Sequence, residues 1–169
     1  MSEKLEFPGP LRPIEQTAAD LAHARAMASP RHRAIVRYHE HEEAIQRMLN
    51  AVEPESYVRP HRHADPAKLE VFLALRGRGR VVTFDEAGAV TSVVTMAAHG
   101  PTWGVEIPAG VWHSLIVDEP GTVLYEVIEG AYTPSTHKDY ADWAPPEGSE
   151  EGQAFLAALR VRVNEHAAV

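Results

Sequence analysis

"RPHRHADPAKLEVFLALRG", Arg59 to Gly77, sets two histidines one residue apart, then a gap containing Pro66, then Glu70 at the head of an apolar run. In an extended chain alternate side chains share a face, so His61 and His63 point the same way, with Tyr57 and Arg59 before them. Glu70 lies an odd number of residues past His63 and would fall on the opposite face of an unbroken strand. "ADPAK" must therefore turn the chain, and parity restarts beyond it. Glu70, Phe72 and Ala74 then share one face, and Val71, Leu73 and Leu75 the other. A glutamate buried beside two imidazoles is costly unless positive charge compensates it. One divalent cation would compensate it and use all three side chains.

A fourth ligand comes from "GVEIPAGVWH", where Pro108 and Gly110 reverse the chain and His113 opens the strand "VWHSLIV". Three imidazoles and one carboxylate suit iron, nickel, zinc, manganese or cobalt. The chain has no cysteine, so disulfides, thiolate metal sites and a thiol nucleophile are all excluded. The remaining histidines, His23, His32, His39, His41, His99, His137 and His166, lack such a context and read as solvated or structural.

The surrounding texture is β. From Ser56 onward short β-branched and apolar runs, "LEVFLAL", "RVVTF", "AVTSVVTM", "WGVEI", "VWHSLIV" and "VLYEVIE", are separated by Gly, Pro and Asp. About seven strands at this spacing predict an antiparallel barrel or sandwich. Upstream, "TAADLAHARAMAS" (Thr17 to Ser29) predicts a helix with Thr17 and Asp20 as a capping box and Pro30 past its end. In "EHEEAIQRMLNAV" the residues Ile45, Met48, Leu49 and Val52 fall at i, i+3, i+4 and i+7 and predict a second, amphipathic helix. After Pro146, Ser149 is placed as an N-cap, with Phe155, Leu156, Leu159 and Val163 as the apolar face of a final helix. The expected organisation is one domain over 1–169: a helical part at about 14–52, a β-barrel at about 53–135 and a helix at about 149–165.

With 16 Lys and Arg against 24 Asp and Glu, the net charge of -8 repels phosphate backbones and anionic lipid, so neither nucleic acid nor membrane is an expected partner. No apolar run approaches the roughly 18 residues of a membrane span, and "MSEKLEFPGP" lacks a signal-peptide core. A cytoplasmic location is the expectation.

His-x-His, a later Glu, Gly77 seven beyond it and Pro-x-Gly-x-x-His resemble the two metal motifs of the cupin superfamily. The strings "SPRHR", "SYVRPHRH", "KLEVFLALRG", "IPAGVWHS", "YEVIEGAY" and "DWAPPEG" together resemble the WbuC family of cupin-fold metalloproteins, from about Leu21 to the final helix. The resemblance implies a double-stranded β-helix, or jelly roll, with His61, His63, Glu70 and His113 as ligands of a divalent transition metal. It also implies a homodimer, since cupins are often dimers, and a link to polysaccharide biosynthesis through the genes for which the family is named. Two features depart from the general cupin pattern. Six residues separate His63 from Glu70, where three or four are usual, and Val117 stands where many cupins carry Asn.

Parity also directs Tyr57 and Arg59 into the lumen. Arg59 could clamp a carboxylate or phosphate of a ligand, or pair with an internal acid such as Glu126. Glu126 alternates with Leu124 and Ile128 and, facing inward, is that partner or a general base. Tyr132 and Trp103 are candidates for the mouth, or for packing. Four protein ligands leave open positions on an octahedral ion, which permits several chemistries on a small polar or anionic molecule. The first is isomerisation or epimerisation of a sugar-like or carboxylate substrate, with Tyr57 or Glu126 moving the proton. Oxygen chemistry at Fe(II), as in a dioxygenase, is the second. The third is metal-dependent binding or sensing without turnover.

Overall fold

In the computed structural model, which describes residues 5–7 and 9–166, the chain runs α1 (Gln16–Ala28), β1 (Arg33–Arg37), β2 (Ile45–Val52), β3 (His61–Arg62), β4 (Glu70–Arg76), β5 (Arg78–Phe84), β6 (Val90–Ala97), β7 (Gly104–Ile107), β8 (Trp112–Val117), β9 (Thr122–Glu129), β10 (Asp139–Tyr140) and α2 (Glu150–His166). The strands form two five-stranded antiparallel sheets, ordered β1-β2-β9-β4-β7 and β10-β3-β8-β5-β6. This is a jelly roll of two facing sheets, and among the described residues no ladder closes one sheet onto the other. Among the described residues no helix is long and apolar enough to cross a membrane.

Period-2 patterning sorts the side chains into layers. Phe72 and Ala74 from β4, Val81 from β5, Leu115 and Val117 from β8 and Leu124 from β9 meet between the sheets. The opposite parity of the second sheet, Val82, Phe84, Trp112 and Ile116, packs under Leu156, Leu159 and Val163 of α2. The opposite parity of the first sheet, Val36, Leu49, Ala51 and Val123, is covered by Ala18, Ala19, Ala22 and Ala26 of α1. The alanines of α1 present little bulk, so the helix lies close against the sheet. Gly77, at φ 73°, turns β4 into β5, and a Cβ there would stand 2.3 Å from Thr122 Oγ1. That close approach gives the motif glycine its physical reason.

The helix predicted over Ile45 to Val52 is strand β2, paired in register with β1 and β9 along its length. Both faces of this strand are covered. Met48 and Val52 are buried on one parity and Leu49 and Ala51 on the other, beneath α1. Burial on both faces erases period 2 and leaves spacing that imitates a helical stripe. The helical part at about 14–52 is therefore reduced to α1, and strands begin at Arg33, well before Ser56. The predicted capping box is also absent: α1 starts after Glu15, which makes no side-chain cap, and the Thr17 hydroxyl donates to Glu15 Oε1 at 2.8 Å. For α2 the prediction agrees with the structure, since the Gly152 N–H donates to Ser149 Oγ at 3.0 Å.

Candidate metal centre

His61, on β3, stands directly opposite His113 on β8. On β4, Glu70 shares the inward parity of Phe72 and Ala74, and it is flanked in register by Ile107 and Ile128. The second sheet thus carries the histidines, and the first presents the carboxylate across the interior. The gap residues supply a tight turn: Asp65–Pro66 is cis, Ala64 bridges Ala67, and the Lys68 N–H donates to the His63 carbonyl at 3.4 Å. Lys68 itself is buried, its Nζ donating to the Ala131 carbonyl at 2.5 Å. Parity is reset as the sequence requires. One ligand atom from each of His61, His63, Glu70 and His113 lies within 4.8 Å of the others, and all four side chains are buried.

Each imidazole is oriented by a backbone carbonyl. Nδ1 of His61 lies 2.9 Å from the Arg59 carbonyl, Nδ1 of His113 2.9 Å from that of Val111, and Nδ1 of His63 2.5 Å from that of His137. A carbonyl only accepts, so Nδ1 carries the hydrogen in all three and Nε2 of the neutral ring is left as a lone pair. The three Nε2 atoms and Glu70 Oε2 are buried without a hydrogen-bond partner. Glu70 Oε2 nevertheless lies 2.9 Å from His113 Nε2 and 3.3 Å from His63 Nε2. A cation among them would relieve the opposition of lone pairs facing one another at that distance. The residues present fit a divalent transition metal.

Electrostatics agree. Burial, with Lys138 and His113 adding to it, holds His61 well below the ordinary imidazole value, so it is neutral and free to ligate.

Glu126 does face inward, and the Asn50 amide donates to its Oε2 at 2.6 Å. Burial and the neighbouring Glu70 charge push its carboxyl up to about 8, with Lys138 and Asn50 acting against the shift. The other two predicted residues are placed elsewhere. Tyr57 and Arg59 precede β3 in irregular chain, so strand parity does not extend back to them. The Tyr57 hydroxyl donates to the Pro145 carbonyl at 3.0 Å, and its ring packs on Phe155 of α2. Arg59 donates to the Ala141 carbonyl at 2.7 Å and lies over the Tyr140 ring. It reaches the cluster through its carbonyl, not its charge, and it does not pair with Glu126. Tyr132 packs on His41 and His137, whereas Trp103 is 68% exposed at the edge of the first sheet.

Three residues of the site escape the sequence reading: Asn50, hidden in the misassigned helix, and His137 and Lys138, in a segment with no periodicity. The His137 ring packs 5.1 Å from that of His63, and burial with Lys138 and His63 pushes it down to about 3. His137, Lys138, Tyr140, Asn50 and Glu126 all line a cavity of about 520 Å³ beside the cluster.

Comparison with known proteins gives the fold. The capsular polysaccharide assembling protein CapF from Staphylococcus aureus superposes with a TM-score of 0.51 at 15% identity, covering 63% of this chain and 29% of that one. The chain has the cupin fold. A variant of Bacillus subtilis oxalate decarboxylase superposes with a TM-score of 0.49 at 19% identity, over 66% of this chain and 28% of that one. KdgF from Halomonas sp. gives 0.46 at 14%, over 61% and 81%. This cupin-fold chain thus spans less than a third of the length of CapF and of the decarboxylase. Residues 14–96, just under half of the chain, match a family described as "Domain of unknown function (DUF6016)". That match includes His61, His63 and Glu70 and stops short of His113. No curated protein matches the chain.

Proposed function

We propose that this protein holds a first-row divalent cation through His61, His63, Glu70 and His113 and acts as a metal-dependent enzyme on a small polar molecule, sugar-like or carboxylate. The observation that carries the reading is the convergence of four buried ligand atoms that have no other partner. Bound there, the cation would supply Lewis acidity toward a carbonyl or hydroxyl oxygen.

Glu126 is the group that moves a proton. It is fixed by Asn50 and faces the cavity beside the ligand cluster, where it can take a proton from a bound molecule and return it. That supports isomerisation or epimerisation, in which a proton leaves and rejoins the same molecule. The motif strings extend the reading to a WbuC-type cupin, and by that association to polysaccharide biosynthesis.

The test combines elemental analysis of natively expressed protein with anaerobic incubation of sugars and hydroxy acids in deuterated water, followed by proton magnetic resonance. One equivalent of metal, with deuterium entering a carbon position and lost in Glu126→Gln, is the expected result. Protein without stoichiometric metal overturns the reading. Bound iron with substrate-dependent oxygen uptake replaces it with a dioxygenase, and metal with tight ligand binding but no exchange replaces it with a sensor.

A further inference from the structure

Lys138 lies in the field of Glu70, Glu126 and Glu147 but touches none of them. It is half-buried, it lines the cavity beside Glu126, and burial lowers its proton affinity while the charges of Glu70 and Glu126 support it. Among the described residues its ammonium makes no hydrogen bond and no ion pair within 4.0 Å. The other basic groups near it are committed. Arg33 binds Glu147 at 2.5 Å, the Ser56 hydroxyl at 3.0 Å and the Tyr57 carbonyl at 2.8 Å, and Arg31 binds Glu147 at 2.9 Å. Glu126 is held instead by Asn50.

A half-buried ammonium that reaches a cavity is only partly hydrated, and an incoming anion can pair with it there. The cavity, at about 520 Å³, has the volume of a small-molecule site. Its neighbourhood is suited to a carboxylate group. One compact ammonium matches one carboxylate, whereas a phosphate dianion would want the planar forks that Arg31 and Arg33 have already given to Glu147.

We propose that Lys138 anchors the carboxylate of a small organic acid in this cavity, and so fixes the substrate class of the site as a carboxylate. This names the substrate for the metal-dependent reading above and rests on it. Lys138 follows His137, whose carbonyl orients His63, and its charge acts on His61 and Glu70. A carboxylate held by Lys138 therefore lies beside both Glu126 and the metal ligands. The positive surplus expected of Arg59 is present, carried by a different residue.

Isothermal titration of the metal-loaded full chain with malonate, dimethyl malonate and inorganic phosphate tests this, with metal content measured on the same samples. The expected result is saturable malonate binding, none with the neutral ester, weaker binding of phosphate, a loss of about tenfold or more in Lys138→Met, and recovery in Lys138→Arg. Unchanged malonate affinity in Lys138→Met overturns the proposal. So does tighter binding of phosphate than of malonate, or a chain with a full equivalent of metal that binds neither. Those outcomes leave the metal centre standing. Conversely, Lys138-dependent malonate binding that persists in a chain without metal supports the anchor and sinks the metal-dependent reading.

Discussion

His61 and His113, fifty-two residues apart in sequence, are register partners on adjacent antiparallel strands, with ring centroids 4.4 Å apart. Glu70 reaches the same point from the opposite sheet, its Oε2 2.9 Å from His113 Nε2. A cation at this junction would tie the two sheets together, so metal binding and stability should be coupled.

Replacing His61 and His63 together with Ala should abolish stoichiometric metal. Chelation of the wild type should lower the melting temperature by about 10 °C, since a ligand at a thousandfold excess over its Kd contributes about 4 kcal/mol to a chain of this size. The double variant should melt at the same temperature with and without chelator. A full equivalent of tightly held metal in that variant would show that the site lies elsewhere.

Arg59→Ala should keep its metal, because only the Arg59 carbonyl supports His61. The lost bond to the Ala141 carbonyl and the contact with Tyr140 should cost about 1 to 3 kcal/mol. Hydrogen exchange should quicken at Asp139 to Ala141, where β10 docks on β3. Urea unfolding with exchange mass spectrometry measures both effects, and unaltered exchange there would contradict the placement.

For Glu126 the folded carboxyl value, about 8, lies above the unfolded value of about 4.3. Its contribution to stability is therefore fully present below the unfolded value and is lost as pH rises through about 8. In chelated protein, Glu126→Gln should remove that alkaline loss and raise the melting temperature at pH 8 relative to wild type. Equal melting curves at pH 5 and pH 8 in both proteins would argue against a buried, proton-binding Glu126.

Glu147 has the opposite sign. Burial raises its carboxyl value, but Arg33 and Arg31 outweigh burial and hold it below the ordinary range, with the Arg59 N–H donating to it at 3.2 Å. Tyr140 and Lys138 also feel its charge. Its stabilisation is present above the unfolded value near 4.3 and is lost as pH falls through the folded one. Urea denaturation from pH 6 down to pH 3 should show a shallower acid loss in Glu147→Gln than in wild type.

How much of this was legible depended on what each signal measures. The convergence of His61, His63, Glu70 and His113 could be read because donor chemistry and strand parity are local properties, and one proline turn accounted for the odd spacing. Glu126 could be read from alternation with Leu124 and Ile128. Strand β2 could not, because periodicity reports how many faces are buried, and α1 covers the face that would otherwise have been polar.

Tyr57 and Arg59 mark the other boundary. Parity placed them in the lumen, but parity holds only along a strand, and residues 56–60 lie outside the ladder that begins at His61. The sequence by itself determined an antiparallel β architecture, the four candidate ligands and the inward Glu126, since these follow from alternation, turn residues and donor chemistry, while the jelly roll came with the cupin resemblance. Only the tertiary structure decided that Asn50 holds Glu126, that Arg59 serves through its carbonyl, and that Lys138 is the unpaired cation beside them. Those relations join segments tens of residues apart, and pairing across such distances is set by sheet register and packing, on which no local pattern bears.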